Sequence, residues 1–476
     1  KIQDIKSIPD GEVDMGAAAV KVSDNVTKTE VDDLRTDTTG NITLTSLTED
    51  KGDLATINGF SDVIVSSADI TATDTVSLSD ATTLDSFTAG LVTINVVEDT
   101  VSNIKSIDGI GSNDVSMAAA SITVTDPASL ADAIDINGFT KGQVTLNSVQ
   151  DGYDNLVEII NTSNSEIDMS NAVIRVTDIV DFVKVNQLIA NTSKLVTVDN
   201  ISDKKALLAV INITPNANIE SAEITVTDDV NRSEVETINT YNTTGNVTIT
   251  SITDSFSNIS TVQGTTGISI GTALITATDA VTLDNANSLN GFTNAQVTLN
   301  VVQDTVSNIT SIDGLTTSDV SMAAAAVTVT TAATLANAVA INGFTTGQVT
   351  LNSVEDTVAN ITSIDGLTTS DVSMAAAAVT VTDAASLANA TAINNFTKGK
   401  VTLNSVEDTY AKIQDIKSIA DGEVDMGAAV VKVSDNVTKT EVDDLRTDTT
   451  GNITLTSLTE DKGDLATING FSDVIL

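Results

Sequence analysis

VTLNSVEDTVANITSIDGLTTSDVSMAAAAVTVTDAASLANATAINNFTKGK, residues 349–400, is the stretch whose reading decides the fold. The 52 residues before it, 297–348, differ from it at nine positions, so 43 of 52 are the same. Repetition at this period overrides the usual expectation of several separate domains, because a solenoid grows by stacking units rather than by adding cores. A strand-like marker of VTVT type begins at Val20, Ile70, Ile122, Ile174, Ile224, Ile275, Val327, Val379 and Val431, in steps of 50 to 52 residues. A second marker of VTLN type begins at Ile42, Val92, Val144, Val196, Val247, Val297, Val349, Val401 and Ile453. The chain is therefore expected to be a single continuous solenoid of about nine units, each with two strand-bearing halves.

Within a marker the apolar and polar residues alternate, as in Val379, Thr380, Val381 and Thr382. Side chains on a strand point to opposite faces in turn, so this pattern buries one face and not the other. After each strand the apolar spacing changes to three: Leu387, Ala390, Ile393 and Phe396, or Val358, Ile361, Ile364 and Leu367. That spacing predicts short helices. Residues 28–37, 180–190 and 203–210 are the plainest of them, and Gly343 and Gly366 read as stops. Val372, Ser373 and Met374 read as a brief extra strand or a corner. Strand–helix–strand order implies parallel strands with right-handed crossovers. The fold expected is an α/β repeat solenoid of stacked parallel strands with short helices on one face; the alternative is an all-β solenoid in which the helical segments are further strands.

Residues 412–476 repeat residues 1–65 with three differences, Pro9/Ala420, Ala19/Val430 and Val65/Leu476, at an offset of 411. The eight marker steps sum to the same 411. The expectation is a super-period of eight units, continued either in a much larger chain or by head-to-tail stacking of separate chains. The chain opens on Lys1 without a recognisable signal peptide and reads as a mature product or a window cut from something longer.

The chain carries 22 basic and 65 acidic residues, a net charge of −43. Nucleic-acid binding needs a basic footprint and is excluded as an expectation. No apolar run approaches the roughly 18 residues of a membrane span. With no Cys and no His, disulfides, thiolate nucleophiles and imidazole acid–base chemistry are absent. No catalytic constellation is legible, and the chain is not expected to be an enzyme.

Two acidic columns are the strongest candidate sites. One follows the first strand at Asp24, Asp74, Asp126, Asp178, Asp228, Asp279, Asp383 and Asp435. The other follows the second strand at Asp50, Asp99, Asp151, Asp203, Asp254, Asp304, Asp356, Asp408 and Asp461. Calcium wants several oxygen ligands, so both are candidate cation columns. The reading preferred is capping of the helix that follows, because Thr331 stands in the first column and keeps an oxygen without the charge. All six methionines, Met15, Met117, Met169, Met322, Met374 and Met426, fall at one place in the unit and read as a structural core ladder rather than soft-metal ligands. Thr71/Thr73, Thr123/Thr125, Thr225/Thr227, Thr328/Thr330 and Thr380/Thr382 form a hydroxyl array of the kind found on ice- or mineral-binding faces, broken by Lys21, Arg175 and Lys432. The most divergent region, residues 153–218, with Tyr153, Arg175, Lys184, Lys194, Lys204, Lys205 and Pro215, is where a specific contact surface is expected if one exists.

The pattern V-T-V-T-D-x-x-S-L-x-x-A-x-x-I-N-G-F resembles the tandem-repeat solenoid tracts of very large secreted or cell-surface bacterial proteins. The resemblance implies an extracellular or cell-surface location and a mechanical role: a rod or filament extended by further repeats or by copies of itself. The stalk of a giant adhesin or a surface-layer component is the alternative.

Overall fold

The computed structural model describes residues 15–111, 114–162, 166–315, 320–367, 371–419 and 423–476. Among them are 27 strands and 18 α-helices, which is three strands and two helices for each of nine repeats. The fold is an α/β repeat solenoid. The segments after the strands are α-helices of eight to ten residues, such as Leu335–Phe344 and Val358–Leu367, so the all-β alternative does not hold. The chain divides into two compact units, Lys1–Val226 with Ile238–Val247, and Thr227–Thr237 with Thr248–Leu476. The same local rules operate in each.

In the second unit the repeat runs through strand Ala326–Ala333, helix Leu335–Phe344, strand Val349–Asp356, helix Val358–Leu367 and short strand Val372–Ser373. Pairing is parallel and stacks like on like: Val327 faces Val349, Thr328 faces Thr350, Val329 faces Leu351. The register then shifts by one, so Thr330 and Thr331 oppose the single Asn352 in a β-bulge. The first unit repeats this, with Ile122 on Val144, Thr123 on Thr145 and Val124 on Leu146. Pro127 sits just past that bulge, where the ladder is already interrupted. Each second strand pairs twice on its other side. Val349 and Thr350 take the short strand, and Ser353 to Asp356 take the next first strand at Ala378 to Val381.

The inward Val and Ile rows are covered by the helices, which bury two residues three apart, such as Ala338 and Ile341 or Ile361 and Ile364; the last helix, Lys462–Asn469, buries only Ile468. Full burial of a Val, Leu or Ile side chain contributes about 1.5–3 kcal/mol, and the rows run from repeat to repeat.

Each repeat turns one corner, and a buried polar side chain holds it. After the short strand, Ala377 N–H donates to Met374 O at 2.9 Å and closes a tight turn. Met374 is buried there, as are Met117, Met169, Met322 and Met426, while Met15 is half-buried. The buried Thr397 hydroxyl donates to Ala377 O at 2.6 Å and accepts from Gly399 N–H at 2.9 Å. Thr38, Thr88, Thr140, Thr192, Thr293, Thr345 and Thr449 do the same for their own repeats, and Asn242 substitutes in one. The residue two after the Thr lies against the corner: a Cβ on Gly399 would sit 2.1 Å from Ala377 O. Two repeats carry Lys194 and Ala295 at that place, and there the N–H to hydroxyl distance opens to 3.1 and 3.0 Å.

This corner also corrects the expected helix stops. The helices run through Gly343 and Gly366. The stop after Gly343 is Thr345, whose extended backbone (φ −140°) and buried hydroxyl are fixed by the corner.

Thr397→Val removes a buried hydroxyl with two partners and should cost about 1–3 kcal/mol. Thr382→Val, at an exposed position, should stay within about 0.5 kcal/mol; urea unfolding followed by circular dichroism measures both.

Candidate functional site

A parallel strand ends where its crossover helix begins, so within each unit the C-termini of the long strands and the helix N-termini collect along one edge. A helix N-terminus leaves backbone N–H groups without partners and carries partial positive charge. Both acidic columns are delivered to this edge.

In the second column each aspartate other than Asp50 and Asp461 joins two successive helices. The Leu335 N–H, at the start of helix Leu335–Phe344, donates to Asp356 Oδ2 at 2.9 Å. The Thr357 N–H and the Asn360 amide, at the start of the following helix, both donate to Asp356 Oδ1 at 2.8 Å. Asp304 is held alike by Leu283, Thr305 and Asn308. Asp99, Asp151, Asp203, Asp254 and Asp408 accept from Leu78, Leu130, Phe182, Arg232 and Leu387 respectively, at 2.8–3.1 Å. The first column makes the corresponding bond to the other set of helices. Asp74, Asp126, Asp178, Asp279, Asp383 and Asp435 accept from the N–H of Lys51, Val101, Tyr153, Phe256, Val358 and Tyr410 at 2.7–2.8 Å. Thr331 makes the same bond by its hydroxyl, from Val306 N–H, at 3.1 Å. Asp228 lies at the matching point of strand Glu223–Val230.

These aspartates therefore each cap a helix that precedes them in the chain, and in the second column they also take bonds from the start of the helix that follows. Most helices are capped from their own first turn by Ser or Thr, as Thr334 and Ser386 do with Asn337 and Asn389 in capping boxes, and Asp181 does so for helix Phe182–Ile189. Asp50 and Asp461 depart from the column assigned to them. They cap their own helices, accepting from Asp53 and Asp464 N–H, while Glu49 and Glu460 stand in the column and accept from Lys28 and Lys439 N–H.

The bonds set the electrostatics. Burial pushes the Asp356 carboxyl up, but the Leu335 N–H, the Asn360 amide and the Thr357 N–H outweigh it and hold the group below the usual carboxylate range. Asp99, Asp151, Asp254, Asp304 and Asp408 are lowered against burial in the same way. Among the described residues no three acidic side chains converge in a way that could hold a metal ion. In the second column the carboxylate oxygens a calcium ion would need already accept N–H bonds.

The Thr pairs lie on the outward face, Thr328 half-buried and Thr330 exposed. Their cross-strand neighbours are mixed: Thr350 beside Thr328, but Glu355 beside Thr380. Arg175 and Lys432 interrupt the face, paired to Asp199 at 2.9 Å and Glu407 at 2.7 Å. In the divergent region Lys184 lies over the Tyr153 ring at 4.9 Å, and the Tyr153 hydroxyl donates to Gln187. Val173, Ile179, Val183, Leu195 and Ile213 are exposed there. No helix among the described residues is long and apolar enough to cross a membrane.

No protein-family model matches the chain, and no curated protein matches it.

Asp356→Ala should cost about 1–2 kcal/mol, since two helix starts lose a charged acceptor. Thr331→Asp restores the charge at the start of helix Val306–Gly314 and should add about 0.3–1 kcal/mol. Denaturant midpoints of the two variants test both signs.

Proposed function

We propose that this chain is a structural protein, a length of solenoid that extends an extracellular or cell-surface rod or filament by adding further repeats. The observation that carries the reading is the joint between one 411-residue block and the copy that begins the next. Strand Val401–Asp408 precedes the copy, and Ser405, Val406, Glu407 and Asp408 face Val430, Val431, Lys432 and Val433. That is the register by which Ser353 to Asp356 face Ala378 to Val381 inside a block. A block is thus followed by its successor through the ordinary repeat contact, and nothing in that contact limits the number of blocks.

The joint also carries a polar clasp. The Tyr410 hydroxyl, at the end of one block, donates to Asp444 of the next at 2.7 Å; within the new block the same helix continues with the Gln414 amide on Asp448 at 2.7 Å and Lys417 Nζ on Asp448 at 2.5 Å. Burial and the Asp444 carboxylate push the Tyr410 phenol up to about 12, so it stays a donor near neutral pH. The net charge of −43 keeps neighbouring filaments apart by repulsion that salt screens. Calcium has no required part in this reading, because N–H donors already meet the second-column carboxylates.

Electron microscopy of the purified chain beside a chain lengthened by one 411-residue block tests the proposal. Uniform particles whose contour grows by one block length, unchanged by chelator, are expected. A hinge at the joint would overturn it in favour of a jointed adhesin stalk, and collapse in chelator would return the carboxylate columns to calcium.

A further inference from the structure

We propose that the second carboxylate column is an acid-operated latch, whose protonation loosens the helix starts while the strands remain paired. The inference rests on geometry at Asp356. Its two oxygens take N–H donors from two helices, Leu335 on one side and Thr357 with Asn360 on the other. Helix Leu335–Phe344 contains no charged residue, and helix Val358–Leu367 contains only Asp365, at its far end. The acidic neighbours on the strands are Glu355, beside Asp356 on its own strand, and Asp383 on the next, which accepts the Val358 N–H; strand Ala326–Ala333 carries no charge. The charge of Asp356 therefore has no substitute on either helix. Elsewhere in the column Asp80 faces Asp99, Asp132 faces Asp151, Arg232 faces Asp254 and Lys412 faces Asp408.

The pairing of the strands does not use these carboxylates. Their pairing is backbone to backbone, and their inward rows are Val, Ile, Leu and Ala. A carboxyl held below its ordinary range in the folded state contributes stability that is present above that range and is lost as pH falls through the folded value. Below that point each protonated Asp gives up its charge-assisted bonds to both helix starts at once, and the loss recurs at every rung.

Amide hydrogen exchange on the full chain between pH 7 and pH 2 reads the latch directly. Protection at the Leu335 and Thr357 amides should fall about tenfold or more as the column protonates, while amides within strand Val349–Asp356 keep theirs. Asp356→Asn should show the loss at Leu335 already at pH 7 and without further pH dependence, with Leu283 and Leu387 still responding to acid. Loss of helix and strand protection together, no loss at Leu335, or an acid response that survives in Asp356→Asn would each overturn the latch. The strand amides report whether the variant folds, and all outcomes are read at fixed block number, apart from any question of filament growth.

Discussion

The structure depends on parallel pairing in register. To lay the next strand parallel to the last, the chain must return to the edge it left, and it returns through a helix each time. Every helix in a unit therefore starts at the same edge, and the unpartnered N–H groups and positive ends of all of them accumulate there. A row of like partial charges needs a row of counter-charges. The sheet supplies the place for it, because strand C-termini come to the same edge. The aspartates are the chemical answer to a topological requirement, and part of the acidity of the chain follows from it.

The rhythm of strand and helix was legible because it repeats in the residues themselves: alternation in Val379 to Thr382, a spacing of three in Ile361 and Ile364. The role of the aspartates was half legible. Capping was the right chemistry, and the helix that follows does bond Asp356 through Thr357 and Asn360, but local sequence logic gives no sign that Asp356 also reaches back 21 residues to Leu335. Only the neighbouring rung makes that contact short. The same limit explains the slip at Asp50, which looks like a column member until Glu49 is seen bonded to Lys28. The buried Thr of the corner was missed, although Thr followed two residues later by Gly recurs as Thr345 and Gly347 or Thr397 and Gly399. In a sequence so rich in threonine, one buried hydroxyl per repeat does not stand out from the exposed ones.

Polar contacts between repeats fall into separate kinds with separate tolerances. The corner is strict, since its Cβ-free position lies within van der Waals range of a carbonyl, and Lys194 and Ala295 are accommodated only with longer hydrogen bonds. The helix surface is permissive. One position pairs as Arg35 with Asp62 and Arg446 with Asp473, but as Asn137 with Glu166 and Asn394 with Glu423. Half-exposed pairs of this sort contribute little individually, so their identity drifts while the corner and the carboxylate columns persist.

Because each carboxylate reaches back to the helix of the rung before it, a rung is finished only when its successor arrives. The molecule thus has a direction of completion. A folding front that advances toward the C-terminus, as on a chain emerging from a ribosome or an export channel, always carries one helix still waiting for its acceptor, and each new strand settles the one behind it. A front advancing the other way lays down helices whose acceptors are already in position. Vectorial synthesis and the capping scheme are thereby coupled: the newest rung is the least secure, and every rung behind it has been locked by the one that followed.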